Sequence, residues 1–304
     1  MREKIYFWAC DYSENSGEGI LGRSYIKYLT KNNKNFNLIN INKHHKYQKK
    51  NRSKKNDRIF KSIKHKYFYP LYGILNLWKL YFSSKKVLYL NYLPLWNFLI
   101  FLLLPPKSLI GPITGTIIKY KYSLINYFFE RLSLLLINLR FNKVIFSNNF
   151  FKFKYELKEE KYEFNFILSD FKKRKRRRKK LYDFVIYYRN LSNEYNFYIY
   201  ELIKLLKEKF KIVIIGDYIK INNIKNYGFI SRRKATDIIS KSRYAINNPE
   251  NLYSYFFQDC MSYDLKIFYN KIFRKYNKLK NKKLIPISNT KIKKDYLIIR
   301  KNCY

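Results

Sequence analysis

The sequence predicts an α/β protein made of two successive Rossmann-like blocks of parallel strands and helices that face a cleft. Short apolar runs alternate with stretches whose apolar residues recur at helical spacing, as in proteins with parallel sheets. The alternation stops at a run of consecutive cations, Lys172 to Lys180, and then begins again. The chain has 304 residues, 47% of them hydrophobic, which is enough for two modest domains. We expect the domains at 1–175 and 181–304.

The first block contains five predicted strands and four predicted helices. The strands are expected at 4–10, 36–41, 87–92, 108–110 and 143–147. The helices are expected at 19–31, 70–82, 95–104 and 122–140, the second starting at Pro70 because proline suits a first helical turn. Residues 42–66 are polar and basic without an apolar period, which predicts a long loop.

An uncharged stretch at 87–106 is long enough to span a bilayer. Asn91, Pro94, Asn97 and the pair Pro105 and Pro106 interrupt it, so a buried strand followed by a short apolar helix is the favoured interpretation.

The second block repeats the pattern. Strands are expected at 183–188, 211–215, 243–246 and 266–269, with a short one within 224–230. Helices are expected at 196–209, 232–241 and 255–263. In such sheets ligands bind at the carboxyl ends of the strands, which directs the search for a site to the residues after each strand.

The charge and the reactive residues exclude several classes of protein. Lys and Arg number 64 against 21 Asp and Glu, a net charge of +43, which suggests either a polyanionic partner or an AT-rich codon bias with lysines on solvated faces. The scarcity of glycine and proline favours the codon bias, and we expect no nucleic-acid partner.

Three cysteines without a C-x-x-C pattern exclude a zinc ribbon and a disulfide framework and favour a reduced cytoplasm. Three histidines in one basic stretch leave little material for a metal site or a catalytic triad, and no metal is expected.

A glycine-rich stretch follows the first predicted strand. Gly17, Gly19 and Gly22 form a G-x-G-x-x-G pattern that opens a helix, so their backbone N–H groups would face a phosphate or a sugar hydroxyl. The alternative is a plain turn. The same stretch offers Glu18 as a carboxylate base, beside Asp11 and Glu14.

A second candidate loop, Gly111 to Thr116, reads GPITGT after an apolar strand. Its Gly111, Thr114 and Gly115, together with Asn91 after the preceding strand, are expected to line the cleft. A tight turn is the alternative.

Two further positions end strands of the second block. Arg189 follows the first of these strands, where a guanidinium can hold a diphosphate through paired hydrogen bonds, unless it is only a surface arginine. Gly216 ends the next strand and precedes Asp217.

Residues 226–270 contain two short motifs, G-F-I-S at Gly228 to Ser231 and N-L-Y-S at Asn251 to Ser254. With them this stretch resembles the C-terminal half of GT-B glycosyltransferases of the family 4 type, which have G-x-hydrophobic-S at the first motif and E-G-F-G at the second. Asp259 stands at the family's second acid, eight residues after Asn251, and Leu265 to Tyr269 match the strand that follows. Glu250 can replace the first acid, since position 251 is asparagine.

This resemblance implies a role for each matched residue. Arg189 and Gly216, with Gly17 and Gly19, would contact the donor diphosphate. Asp259 would accept the ribose hydroxyls, and the rest of the 250–254 segment would contact the donor sugar, with catalytic roles for Glu250 and Asn251 and binding roles for Tyr253 and Ser254.

The sequence also departs from the family. No lysine follows Arg189 before residue 196, the GPITGT loop has no histidine, and residues 271–304 are expected to be a short basic tail rather than the family's long final helix.

The expected function is metal-independent transfer of a sugar from a nucleoside diphosphate donor to a glycan or lipid-linked acceptor. The nucleotide sugar is a co-substrate, no other cofactor is expected, and the setting is the synthesis of surface polysaccharide or lipopolysaccharide. The protein is expected in the cytoplasm, with helices at 78–86 and 120–140 in peripheral contact with an anionic membrane. A degenerate GT-B protein without catalysis and a basic nucleic-acid binder remain as alternatives, and the sequence leaves retaining and inverting mechanisms open.

Overall fold

In the part of the chain that the structure describes, two six-stranded sheets of parallel strands form the framework. The computed structural model describes residues 3–12, 17–32, 36–41, 63–114, 124–146, 150–158, 160–164, 179–250, 254–276 and 281–303. These residues fall into two compact units, one up to residue 164 and one from residue 179. Most of the basic run 172–180 lies outside the described residues, and the domain boundary expected there stays a prediction.

The first unit has the strand order β2-β1-β3-β4-β5-β6. Its strands are β1 (Glu3–Ala9), β2 (Phe36–Asn40), β3 (Lys86–Pro94), β4 (Leu109–Thr114), β5 (Val144–Phe146) and β6 (Tyr162–Phe164). Its helices are α1 (Gly17–Asn32), α2 (Ile63–Phe82), α3 (Phe98–Leu103), α4 (Leu124–Arg140) and α5 (Phe150–Tyr155). The predicted strand and short helix within 87–106 are therefore confirmed as β3 and α3.

The two faces of this sheet bury different helices, because neighbouring residues of a strand point to opposite sides. In β1, Ile5, Phe7 and Ala9 belong to a core shared with α1. Trp8 of β1 belongs to the core on the other face of the sheet, and so does Cys10, just after the strand. This core also contains apolar residues of α2, α3 and α4. One face of the sheet is thus covered by α1 and the other by a layer of three helices.

The prediction that GPITGT forms a loop was wrong for its first four residues. Gly111 to Thr114 continue the central strand β4, which pairs with β3 and β5. A Cβ atom on Gly111 would lie 2.4 Å from the Tyr25 ring, so the glycine lets this ring of α1 pack on the strand. Pro112, which has no N–H to donate, falls where the β3–β4 register shifts.

Other predicted placements in this unit also differ from the structure. The helix expected at Pro70 begins at Ile63 and contains the proline. Gly17, Gly19 and Gly22 lie within α1 rather than in a preceding loop. Asn91 lies within β3 rather than after it.

The second unit has the strand order β12-β11-β10-β7-β8-β9. Its strands are β7 (Tyr182–Tyr188), β8 (Ile212–Gly216), β9 (Lys225–Asn226), β10 (Ser242–Ile246), β11 (Lys266–Asn270) and β12 (Leu284–Ile287). Its helices are α6 (Asn193–Lys207), α7 (Arg232–Ser240), α8 (Tyr255–Ser262) and α9 (Ile292–Cys303), with a 3-10 helix at Lys271–Tyr276. The order reverses between β7 and β10, the first and fourth strands of the unit, where doubly wound sheets bind ligands.

The C-terminal residues are not the short tail that the sequence suggested. Strand β12 pairs with β11 and extends the sheet, and α9 packs its Ile299 into the core of the second unit. Within the described part of the chain, no helix is long and apolar enough to cross a membrane.

Candidate functional site

Arg189 lies at the carboxyl edge of the second sheet, directly after β7. Its Nε atom is 3.6 Å from Oδ2 of Asp217, the first residue after β8. Its Nη1 donates a hydrogen bond of 3.4 Å to the Tyr187 hydroxyl. The side chain remains 46% exposed, so the guanidinium is positioned by its neighbours and still accessible to a ligand.

Two carboxylates lie near the Arg189 guanidinium, which is charged at any physiological pH. Its partial burial lowers the pKa, but the hydrogen bond to Tyr187 and the carboxylates of Asp217 and Glu250 outweigh this effect and raise the pKa overall. A cation held near two carboxylates is therefore present at the strand-order reversal.

Backbone contacts tie the ends of β7 and β8 together. The Asn190 N–H donates to Asp217 Oδ2 at 2.7 Å, and the Asp217 N–H donates to the Tyr188 carbonyl at 3.0 Å. Gly216 has a φ of +109°, and a Cβ atom there would lie 2.2 Å from the Tyr188 carbonyl oxygen. Only glycine fits this conformation and this close approach, so the chain turn that places Asp217 beside Arg189 depends on Gly216.

The residues after β10 position the next helix and Glu250. Asn247 follows β10, and its Oδ1 accepts a 3.3 Å hydrogen bond from Ser254 Oγ. Ser254 is the N-cap of α8 and accepts from the Phe257 N–H at 3.2 Å. The Glu250 N–H donates to Asn248 Oδ1 at 2.8 Å. The amino terminus of α8, where partial positive charge favours anions, is thus fixed at the carboxyl end of β10.

Asp259 is buried on α8 and forms an ion pair with Arg232, the first residue of α7. Arg232 Nη2 lies 3.2 Å from Oδ1 and Nε lies 3.3 Å from Oδ2, a two-point contact. The guanidinium also lies over the Tyr255 ring, 4.7 Å from its centroid. Both carboxylate oxygens of Asp259 therefore already have a partner within the chain, which the family resemblance did not anticipate.

We expect the Arg232–Asp259 pair to stabilise the second unit. A double-mutant cycle with Arg232→Ala and Asp259→Ala should give a coupling free energy of about 1–2 kcal/mol, above the value for an exposed pair because Asp259 is buried. The measurement is chemical denaturation of the single and double variants. Additive effects of the two substitutions would show that the contact contributes nothing.

The other predicted site residues have varied locations. Gly17 and Gly19 occupy the first turn of α1, with Glu18 between them. Asn91 is half-buried and donates a 3.3 Å hydrogen bond to the Tyr89 hydroxyl. Thr114 is buried at the end of β4. Three predicted residues lie outside the described residues, namely Gly115, Asn251 and Tyr253.

The structure adds residues that the sequence analysis did not assign to the site. Asp217 and Asn247 each follow a strand directly, a position that could have identified them. Arg232 had no such signal, because it lies in a run of three basic residues on a very basic chain. In the part of the chain that the structure describes, no three His, Cys, Asp or Glu side chains group as a metal site would require.

Solved structures share this architecture over almost the whole chain. Sucrose-phosphate synthase from Thermosynechococcus elongatus matches with a TM-score of 0.58 and 8% identity, covering 99% of this chain and 89% of its own. A glycosyltransferase from Rickettsia africae matches at 0.52 and 13%, covering 99% and 88%. The chain has a GT-B fold. The predicted fold class is therefore confirmed.

A third GT-B structure is a UDP-GlcNAc 2-epimerase. The enzyme from Methanocaldococcus jannaschii, in complex with UDP-GlcNAc and UDP, matches with a TM-score of 0.50 and 11% identity, covering 99% of this chain and 92% of its own. No family model and no curated protein sequence matches the chain. Likenesses at these identities show the GT-B fold.

Proposed function

We propose that this GT-B protein is a cytoplasmic glycosyltransferase that uses a nucleoside diphosphate sugar and needs no metal ion. The acceptor is a glycan or a lipid-linked glycan of surface polysaccharide or lipopolysaccharide synthesis. The observation that carries the proposal is the position of Arg189, an accessible cation at the strand-order reversal of the second sheet. The UDP and UDP-GlcNAc bound to the Methanocaldococcus enzyme of the same fold support a nucleotide-sugar donor.

The chemistry requires little beyond charge stabilisation and orientation. When the bond between the anomeric carbon and the diphosphate breaks, negative charge grows on the leaving phosphate oxygens. The Arg189 guanidinium and the amino terminus of α8 would stabilise that charge. Because protein groups supply this stabilisation, the reaction can proceed without a metal ion.

The remaining roles follow from the family resemblance. Gly17, Gly19 and Gly216 would let the backbone approach the donor, and Tyr253, Ser254 and Asp259 would hold its sugar and ribose. Glu250 and Asn251 would act at the reacting sugar. Glu18 would be the base of an inverting reaction, whereas in a retaining reaction the leaving phosphate itself can take the acceptor proton. Asn91, Thr114 and Gly115 would serve the acceptor side, whereas Gly111 packs against Tyr25 within β4.

Product analysis tests this proposal. The protein is incubated with sugar-labelled UDP, GDP and ADP sugars in the presence of a chelator, with and without lipid-linked glycan acceptors. Release of the nucleoside diphosphate, with the label on the acceptor, supports the transferase. Recovery of an epimerised sugar still attached to its nucleotide would show an epimerase, and nucleotide binding without any turnover would show a degenerate GT-B protein.

A further inference from the structure

The outer side of the helical layer in the first unit is unusually apolar. On α2, exposed apolar side chains recur at helical spacing along the side away from the sheet, and the same holds for α4. They are Phe68, Leu71, Leu75 and Phe82 on α2, and Leu124, Phe128, Leu135 and Leu139 on α4. A helix that packs on a sheet normally presents polar residues to water on this side, so both helices depart from the usual pattern.

The helix α3 joins these two rows into one surface. The Phe98 ring of α3 stacks on the Phe129 ring of α4 with centroids 5.0 Å apart. The Trp78 Nε1–H of α2 donates a 2.8 Å hydrogen bond to the Leu103 carbonyl of α3. Leu99, Leu102 and Leu103 of α3 are themselves exposed. We call the exposed apolar side chains of α2, α3 and α4 the apolar face.

The exposed charges that α2, α3 and α4 themselves carry all have one sign. Lys79 and Arg131 interrupt the rows on α2 and α4, and both are exposed. Residues 63–114 contain no acidic residue, and residues 124–146 contain only Glu130. Glu130 is buried and paired with Lys154 at 3.0 Å. No exposed carboxylate therefore lies on this part of the chain to oppose an anionic partner.

From this combination we propose that the apolar face binds the surface of an anionic lipid bilayer. Apolar side chains would enter the boundary between headgroups and acyl chains, and Lys79 and Arg131 would contact the anionic headgroups. The helices would lie on the membrane, because none of the described helices is long and apolar enough to cross it. This inference does not depend on the proposed transferase activity.

Vesicle sedimentation with the full chain tests the proposal. The vesicles contain phosphatidylcholine either alone or mixed with phosphatidylglycerol. We expect the protein to sediment with the mixed vesicles and to bind the neutral ones much more weakly. The test variant Leu75→Gln/Phe128→Gln should bind the mixed vesicles at least tenfold more weakly, because two large apolar groups no longer enter the lipid.

The second unit provides a matched control. Leu297 and Phe197 are 60% and 64% exposed, close to the 61% and 63% of Leu75 and Phe128. The variant Leu297→Gln/Phe197→Gln should bind vesicles like the unmodified protein. All four side chains are exposed, so thermal unfolding of both variants should match that of the unmodified protein.

Several results would overturn the proposal. One is no binding to the mixed vesicles, and another is equal binding to neutral vesicles. Unchanged binding of the test variant would mean that the charge of +43 alone attracts the vesicles. A lipid-free dimer that becomes monomeric only in the test variant would show that the apolar face pairs with a second copy of the chain.

Discussion

Replacing Asp295 with alanine should destabilise the second unit by about 3–5 kcal/mol. Asp295 lies on α9, is fully buried, and accepts four hydrogen bonds of 2.7–2.9 Å. The donors are the Tyr198 hydroxyl of α6, the Ser288 N–H and hydroxyl, and the Asn289 N–H. Alanine would leave these buried or partly buried donors without their acceptor and disconnect α9 from both α6 and the end of β12.

Denaturant unfolding of the Asp295→Ala variant measures this effect. Asp237→Ala is the control, because Asp237 forms a partly exposed i,i+4 pair with Lys241 and should contribute about 0.5 kcal/mol or less. If both variants lost the same small amount of stability, the hydrogen bonds to Asp295 would not stabilise the unit as argued.

Replacing Gly216 with alanine should cost about 2–4 kcal/mol of stability. The added Cβ atom would lie 2.2 Å from the Tyr188 carbonyl oxygen, and the φ of +109° is strained for any residue with a Cβ. Because neither neighbour can move without disturbing β7 or β8, the substitution should also displace Asp217 from Arg189.

A substitution at Gly228 distinguishes the two causes of strain at Gly216, the positive φ and the close contact of the added Cβ atom. Its φ is also positive, at +60°, but a Cβ atom there would meet nothing within 4 Å. Gly228→Ala should therefore cost only about 1–2 kcal/mol, the cost of the left-handed backbone alone. Equal losses in the two variants, measured by denaturant unfolding, would contradict the close contact at Gly216.

The strand and helix alternation could be predicted because buried parallel strands are short apolar runs, as in the five residues of β8. The C-terminal α9 could not be predicted, because its buried face carries Asp295 and the apolar period is broken there. The sequence did not predict that Gly111 to Thr114 belong to a strand, because glycine and proline usually occur in turns. Here the Tyr25 ring and an irregular register accommodate them.

Part of the candidate site could be predicted from strand ends alone. Arg189 and Gly216 follow or end predicted strands, and the structure places them together at one sheet edge. The partner of Asp259 could not be predicted, because Asp259 and Arg232 lie on two different helices and are 27 residues apart in sequence. The apolar rows of α2 and α4 are visible in the sequence, but only the packing shows that they point away from the sheet.

We expect the carboxyl edge of the second sheet to bind a nucleoside diphosphate through Arg189. Calorimetric titration with UDP, GDP and ADP tests it, with Arg243→Ala as the control, since Arg243 forms a similar pair with Asp183 at the start of β10. We predict saturable binding of one of these nucleotides that Arg189→Ala weakens about 10–100-fold and Arg243→Ala leaves unchanged. No binding by the unmodified protein, or equal affinity in all three proteins, would contradict it.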